Sequence, residues 1–142
     1  MTIAAILDKK GRDVVTVATS SSVRDVVTLL ADRKIGAVVV LDHGGEIAGI
    51  LSERDVIANI CREDDLLGCV AERIMSSPAV TVTSETQVLP ALAQMSRRKI
   101  RHLPVVDDGV LVGIVSIGDL VQYRIENMAA EAEAMREYIQ AV

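Results

Sequence analysis

Tryptophan and phenylalanine are absent from this chain of 142 residues, and Tyr123 and Tyr138 are its only aromatic side chains. A core built without large rings must be aliphatic, and apolar residues make up 50% of the sequence. No apolar run approaches the ~18 residues that span a bilayer. Met1–Lys10 is short and ends in Lys9-Lys10, so it does not read as a secretory signal. Cysteine is scarce too: Cys61 and Cys69 lie outside any CxxC spacing. They read as ordinary thiols of a reducing cytoplasm, not as a disulfide or metal site. Basic residues are outnumbered, giving a net charge of −5. That weighs against nucleic acid as a partner, because phosphate contacts need a basic face. Catalytic signatures are missing as well. There is no GxxxxGK[ST], no GxGxxG after a strand, and His43 and His102 are too far apart in sequence to form a metal-spaced pair. The expectation is a non-enzyme with no metal.

What is present is a repeat. Gly49-Ile50-Leu51-Ser52-Glu53-Arg54-Asp55-Val56 returns as Gly113-Ile114-Val115-Ser116-Ile117-Gly118-Asp119-Leu120. Val15-Thr16-Val17 matches Val80-Thr81-Val82, and Lys34-Ile35 matches Lys99-Ile100. The offset is 65 residues early in the unit (80 minus 15) and 64 late in it (113 minus 49). A period of this size means two similar units that bury apolar faces together.

Each copy reads β-α-β-β-α. In the first, Val14–Val17 is a strand, and the hydroxyl run Thr19–Ser22 offers N-caps. Val23, Val26, Val27, Leu30 and Ala31 then give helical spacing over 23–33. Ile35–Leu41 and Ile47–Leu51 flank the turn Asp42-His43-Gly44-Gly45 as a hairpin. A helix follows from Asp55 to Ile60. In the second copy the strand is Ala79–Val82, and the helix carries Val88, Leu92 and Met95. Strands Leu103–Val106 and Val110–Ser116 follow, then a helix from Asp119. The units run 1–62 and 78–125, with a connector at 63–77 carrying a short helix, Val70–Met75, and a C-terminal helix at 126–142. Ile3–Leu7 and Val70–Met75 are expected to play equal roles, each leading into the first strand of its unit.

This pattern resembles a tandem pair of CBS domains, a Bateman module, over about Ile3 to Arg124. The two Gly-x-x-Ser-x-x-Asp segments carry the likeness, with Arg33–Val40 and Arg98–Val106. The resemblance implies an α/β fold of two pseudo-twofold-related βαββα units, each a small three-stranded sheet backed by helices. It implies two clefts that take adenosine ligands: AMP, ADP, ATP, S-adenosylmethionine or NAD(H). It also implies that each cleft joins the Ser-x-x-Asp of one unit to the middle strand of the other. One cleft then combines Ser52, Arg54 and Asp55 with Ile100, Arg101 and His102. The other combines Ser116, Gly118 and Asp119 with Ile35, Gly36 and Ala37.

The residue chemistry suits such a ligand. An ionised carboxylate, Asp55 or Asp119, accepts from both hydroxyls of a ribose in charge-assisted bonds. Ser52 and Ser116 sit where strand becomes helix, a position that favours phosphate but equally suits a simple N-cap. Without rings to stack adenine, the slot falls to Val15, Val80, Ile35, Ile50, Ile100 and Ile114, each of which alone would pass for core. Arg54, Arg101 and His102 suit phosphate. The first cleft is therefore expected to hold phosphate more strongly than the second, which has Gly118, Gly36 and Ala37 at the matching places.

Ile125, Met128, Ala132, Met135, Ile139 and Val142 follow 3-4-3-4-3 spacing. The stripe is short for a coiled coil. It could pack on its own module or, with the units' helices, on a second copy. The expected function is a free-standing, cytoplasmic regulatory module that binds an adenosine nucleotide and signals to an unidentified partner protein, working as a homodimer. The alternative is a dimeric scaffold that binds a partner without nucleotide.

Overall fold

The computed structural model describes residues 1–141. Its elements are α1 (Ile3–Lys10), β1 (Thr16–Ala18), α2 (Val23–Arg33), β2 (Ala37–Leu41), β3 (Ile47–Ser52) and α3 (Glu53–Asn59). A 3-10 turn at Leu66–Gly68 follows, then α4 (Ala71–Ile74), α5 (Val88–Arg98), β4 (His102–Asp107), β5 (Val110–Ser116) and α6 (Ile117–Ala141). The chain packs as two compact units. One is Asp13–Val80; the other joins Met1–Arg12 to the chain from Thr81 onward.

In the continuous unit, β1 runs parallel to β2, and β2 is antiparallel to β3. The helix α2 starts where the Ser22 hydroxyl accepts from the Asp25 N–H at 3.1 Å. It stops in a Schellman turn. Lys34 takes the left-handed conformation (φ 54°), its N–H reaches the Ala31 carbonyl, and the Ile35 N–H reaches the Leu30 carbonyl. Lys99 (φ 56°) and Ile100 end α5 in a closely similar way, with the Ile100 N–H on the Met95 carbonyl. The repeated Lys-Ile pair is thus a helix stop. Val23, Val26 and Leu30 of α2 bury against Val38, Val40 and Leu51, with Leu66, Ala71 and Ile74 closing the cluster.

The discontinuous unit repeats this plan with one change. Its β4–β5 hairpin is antiparallel and carries a bulge between Val105 and Val106, matching the one between Val40 and Leu41. The expected strand Ala79–Val82 shrinks to a single parallel bridge, Val82 to Val105, so this sheet has two strands rather than three. In the first unit the Val39 N–H donates to the Val15 carbonyl at 3.2 Å. Pro104 stands at the equivalent place and has no N–H to give.

The leading helices have equal roles, but each docks on the other stretch of sequence. The Ala71 N–H donates to the Ser21 carbonyl and the Glu72 N–H to the Thr19 carbonyl, at 2.7 and 3.1 Å. The Ile3 N–H donates to the Thr86 carbonyl and the Ala4 N–H to the Ser84 carbonyl, at 2.9 and 2.8 Å. Thr86 and Ser84 are Ser21 and Thr19 shifted by the 65-residue period. So α4 caps the strands that precede it. Helix α1, expected to lead into β1, instead buries Ile3, Ile6 and Leu7 in the later unit.

This docking explains the repeated glycines. A Cβ on Gly113 would lie 2.7 Å from Leu7 Cδ2 of α1. One on Gly49 would lie 2.5 Å from the Ser76 carbonyl oxygen and 3.0 Å from Met75 Sδ, just past α4. Each glycine lets a leading segment lie directly on its strand.

Candidate functional site

Both Ser-x-x-Asp segments sit where a strand turns into a helix, and both fold into reciprocal caps. At α3 the Ser52 N–H donates to Asp55 Oδ2 at 2.9 Å, and the Asp55 N–H donates back to Ser52 Oγ at 3.4 Å. At α6 the Ser116 N–H donates to Asp119 Oδ2 at 2.8 Å, and the Asp119 N–H to Ser116 Oγ at 3.1 Å. The capping role expected as the bland alternative is therefore real. Both carboxylates stay half-buried rather than covered.

The middle strands meet these caps within each unit. Ala37 pairs with Ser52 and His102 with Ser116. The Gly36 carbonyl accepts from the Glu53 N–H at 3.0 Å, and the Arg101 carbonyl from the Ile117 N–H at 2.8 Å. Gly36–Ala37 thus lies beside Ser52, and Arg101–His102 beside Ser116. Arg54 and Arg101 are exposed, and His102 is half-buried. Of the aliphatic candidates, only Ala37 is core. Val15, Val80, Ile35, Ile50, Ile100 and Ile114 are all half-buried, whereas neighbouring Val38, Leu51, Leu103 and Val115 have no exposure. These six keep part of their apolar surface uncovered instead of vanishing into the interior.

The copies differ in a partner that the sequence did not reveal. Ser76 Oγ donates to Asp55 Oδ1 at 2.8 Å, while the Ser76 backbone exchanges hydrogen bonds with Ile50. In the other unit Lys10 does both jobs with one ammonium. Its Nζ donates to Asp119 Oδ2 at 2.6 Å and to the Ile114 carbonyl at 3.0 Å. Burial raises the Asp119 carboxyl, but the Lys10 ammonium and the Ser116 N–H and hydroxyl outweigh it and hold the group below the ordinary aspartate range. One carboxylate is therefore held by a neutral hydroxyl and the other by a cation. Beside Asp119 lies a cavity of about 220 Å³ lined by Ile6, Lys9, Lys10, Gln122, Tyr123 and Glu126, with Lys9 paired to Glu126. The only signal for Lys10 was the Lys9-Lys10 pair, which has meaning only once α1 is docked on β5.

Among the described residues, no cluster of His, Cys, Asp or Glu is arranged to hold a metal ion. Among them too, no helix is long and apolar enough to cross a membrane.

A duplicated hairpin ending in Ser-x-x-Asp at a helix start, with half-buried aliphatic residues beside it, defines a class of paired α/β modules. The CBS-domain profile matches the chain twice, at residues 7–62 and 70–126, and the chain belongs to that family. It is 31% identical over 150 residues to the mitochondrial CBS domain-containing protein CBSX3 of Arabidopsis thaliana, covering 98% of this chain and 72% of that protein. Among solved structures, it is similar to a putative signal-transduction protein with CBS domains from Burkholderia ambifaria. The identity is 37% and the TM-score 0.85, over 89% of this chain and 95% of that one. It is also similar to the CBS domain protein PAE2072 from Pyrobaculum aerophilum, solved in complex with AMP. There the identity is 32% and the TM-score 0.75, over 84% of this chain and 89% of that one.

Proposed function

We propose that this chain is a non-catalytic regulatory module that binds an adenosine nucleotide (AMP, ADP, ATP or NAD(H)) at its Ser-x-x-Asp elements and signals the binding to a partner protein. The observation that carries the reading is the pair of half-buried carboxylates, each fixed by its own cap beside partly exposed isoleucines. Such a group accepts a ribose diol without reorganising. The bonds described to Asp119 all use Oδ2, so Oδ1 is the atom a ribose hydroxyl would meet. Arg54, Arg101 and His102 are the phosphate candidates, and the half-buried aliphatic residues form the adenine slot. The AMP complex of the similar PAE2072 protein supports the ligand class. The exposed apolar faces of the helices favour a second copy of the chain as a further partner. The free cysteines fit a reducing cytoplasm.

Signalling by such a module is limited by the ligand's difference in affinity for two states. The test is a thermal-shift and calorimetry screen with AMP, ADP, ATP, NAD+, NADH and S-adenosylmethionine on nucleotide-free protein. A ligand at 100 times its Kd stabilises the fold by about 2.7 kcal/mol. Asp55→Asn and Asp119→Asn should each weaken one site. No shift with any of these ligands would leave the scaffold reading in its place.

A further inference from the structure

Helix α6 leaves its own unit partway along. Leu120 is buried, and Tyr123, Arg124 and Asn127 are half-buried, but every described residue from Met128 to Ala141 is exposed. An apolar stripe runs along the helix through Val121, Ile125, Met128, Ala132, Met135 and Ile139, at spacings 4-3-4-3-4. Its large members are 41% to 64% exposed. At 100° per residue the stripe centres roughly 125° away from the face of Leu120, Tyr123 and Asn127 that rests on the unit. The unit therefore does not cover it. Val121 extends the stripe beyond the reading from sequence, to just under three heptads, still short of the ~3–4 that sustain a coiled coil alone. Val142 lies outside the described residues.

The flanking charges say what covers it. With Ile125, Ala132 and Ile139 as a positions and Val121, Met128 and Met135 as d positions, Glu131 is a g residue and Arg136 the e residue of the next heptad. In a parallel, in-register pair, a g residue faces the following e residue of the other strand. Glu131 of each copy then meets Arg136 of the other, twice by symmetry. The antiparallel pairing that overlaps the whole stripe, Val121 opposite Ile139, sets Glu131 against its own counterpart, a repulsive contact. A second copy in parallel register satisfies both the seam and the charges.

We infer that α6 pairs with α6 of a second copy as a short parallel, in-register coiled coil locked by reciprocal Glu131–Arg136 ion pairs. This rests on the homodimer reading and adds its seam, direction and register. The seam is too short to hold two chains alone, so it acts with other contacts of the dimer and sets their direction.

The test is sedimentation equilibrium of the full chain with E131R, R136E and the double variant E131R/R136E. Both substituted positions are exposed, and an unchanged circular dichroism spectrum checks folding. Each single reversal replaces two attractive contacts with two repulsive ones and should weaken dimerisation about tenfold at low salt. The double reversal should restore wild-type affinity. Single variants that dimerise as tightly as the wild type would leave the dimer reading intact and overturn the tail pairing. So would a double variant no better than the singles. A wild-type chain that stays monomeric at every concentration would overturn both, including the case where the stripe serves a different protein.

Discussion

Replacing Gly113 with alanine tests the docking of α1 directly. The new methyl would sit 2.7 Å from Leu7 Cδ2 and 2.9 Å from Cδ1, well inside the ~3.5–4.0 Å contact distance of carbon atoms. Leu7 has no exposure, so it cannot swing into solvent and must push its surroundings. Overpacking of this kind costs about 1–3 kcal/mol. Leu7→Ala alone costs about 2–5 kcal/mol through lost burial and a cavity. Combined, the two changes partly cancel, because the added methyl fills space that the leucine vacated. The double variant should be less destabilised than the sum by at least about 1 kcal/mol. Urea unfolding followed by circular dichroism reads this, and each 1 kcal/mol also moves Tm by about 2–4 °C. Gly49→Ala is the contrast. Its methyl meets the Ser76 carbonyl oxygen at 2.5 Å, a backbone atom held by the Ile50 N–H at 3.0 Å. Truncating Met75 should therefore not rescue it. Additivity of Gly113→Ala with Leu7→Ala to within ~0.4 kcal/mol, or rescue of Gly49→Ala by Met75→Ala, would refute the reasoning.

Two further outcomes follow from the differences between the copies. The Asp119 carboxyl is held below its ordinary value when folded. Its contribution to stability is therefore complete above the unfolded aspartate value of about 3.9. It is lost as pH falls through the lower folded value. Lys10→Met should narrow its stability gap from the wild type as pH drops from 6 to 3, and a constant gap would contradict the ion pair's role. The second concerns helix starts. Ser22 caps α2, while Gln87, its counterpart one period on, gives α5 no side-chain cap. Ser22→Ala should cost about 1 kcal/mol and Gln87→Ser should gain a few tenths or more, read as opposite shifts in Tm.

Much of this was legible in sequence because it is local. Val23–Arg33 carries its own cap, its own periodicity and its own Lys-Ile stop, so both ends fall where the spacing puts them. Strand Val110–Ser116 likewise matches its reading. Helix α3 starts two residues earlier than expected because Ser52, not a later residue, is the cap. The missing strand at Ala79–Val82 was hidden in one residue of another strand, Pro104, whose absent N–H matters only across the sheet. The half-burial of Ile35, Ile50, Ile100 and Ile114 was not readable either, since apolar periodicity marks a face but not how completely it is covered. The Ser-x-x-Asp elements were found as a repeat, but Ser76 and Lys10, which complete their bonding, are distant in sequence and share no residue type. Docking of α1 on the later unit had no sequence signal, because both leading helices look equally suited to either.

That docking also sets a clock during synthesis. Leu7 is separated from Gly113 by 106 residues (113 minus 7), so at ~5–20 residues per second it waits about 5–20 s for its partner to be made. An isolated helix of eight residues is marginal in water, and in that interval α1 is an unfolded segment with Ile3, Ile6 and Leu7 uncovered. Asp13–Val80 holds all of its elements in one stretch and can close during the wait. The other unit cannot, because it joins Met1–Arg12 to residues from Thr81 onward that are not yet made. Order of assembly is therefore written into the chain's connectivity: the continuous unit closes first, and α1, made before it, is placed after it.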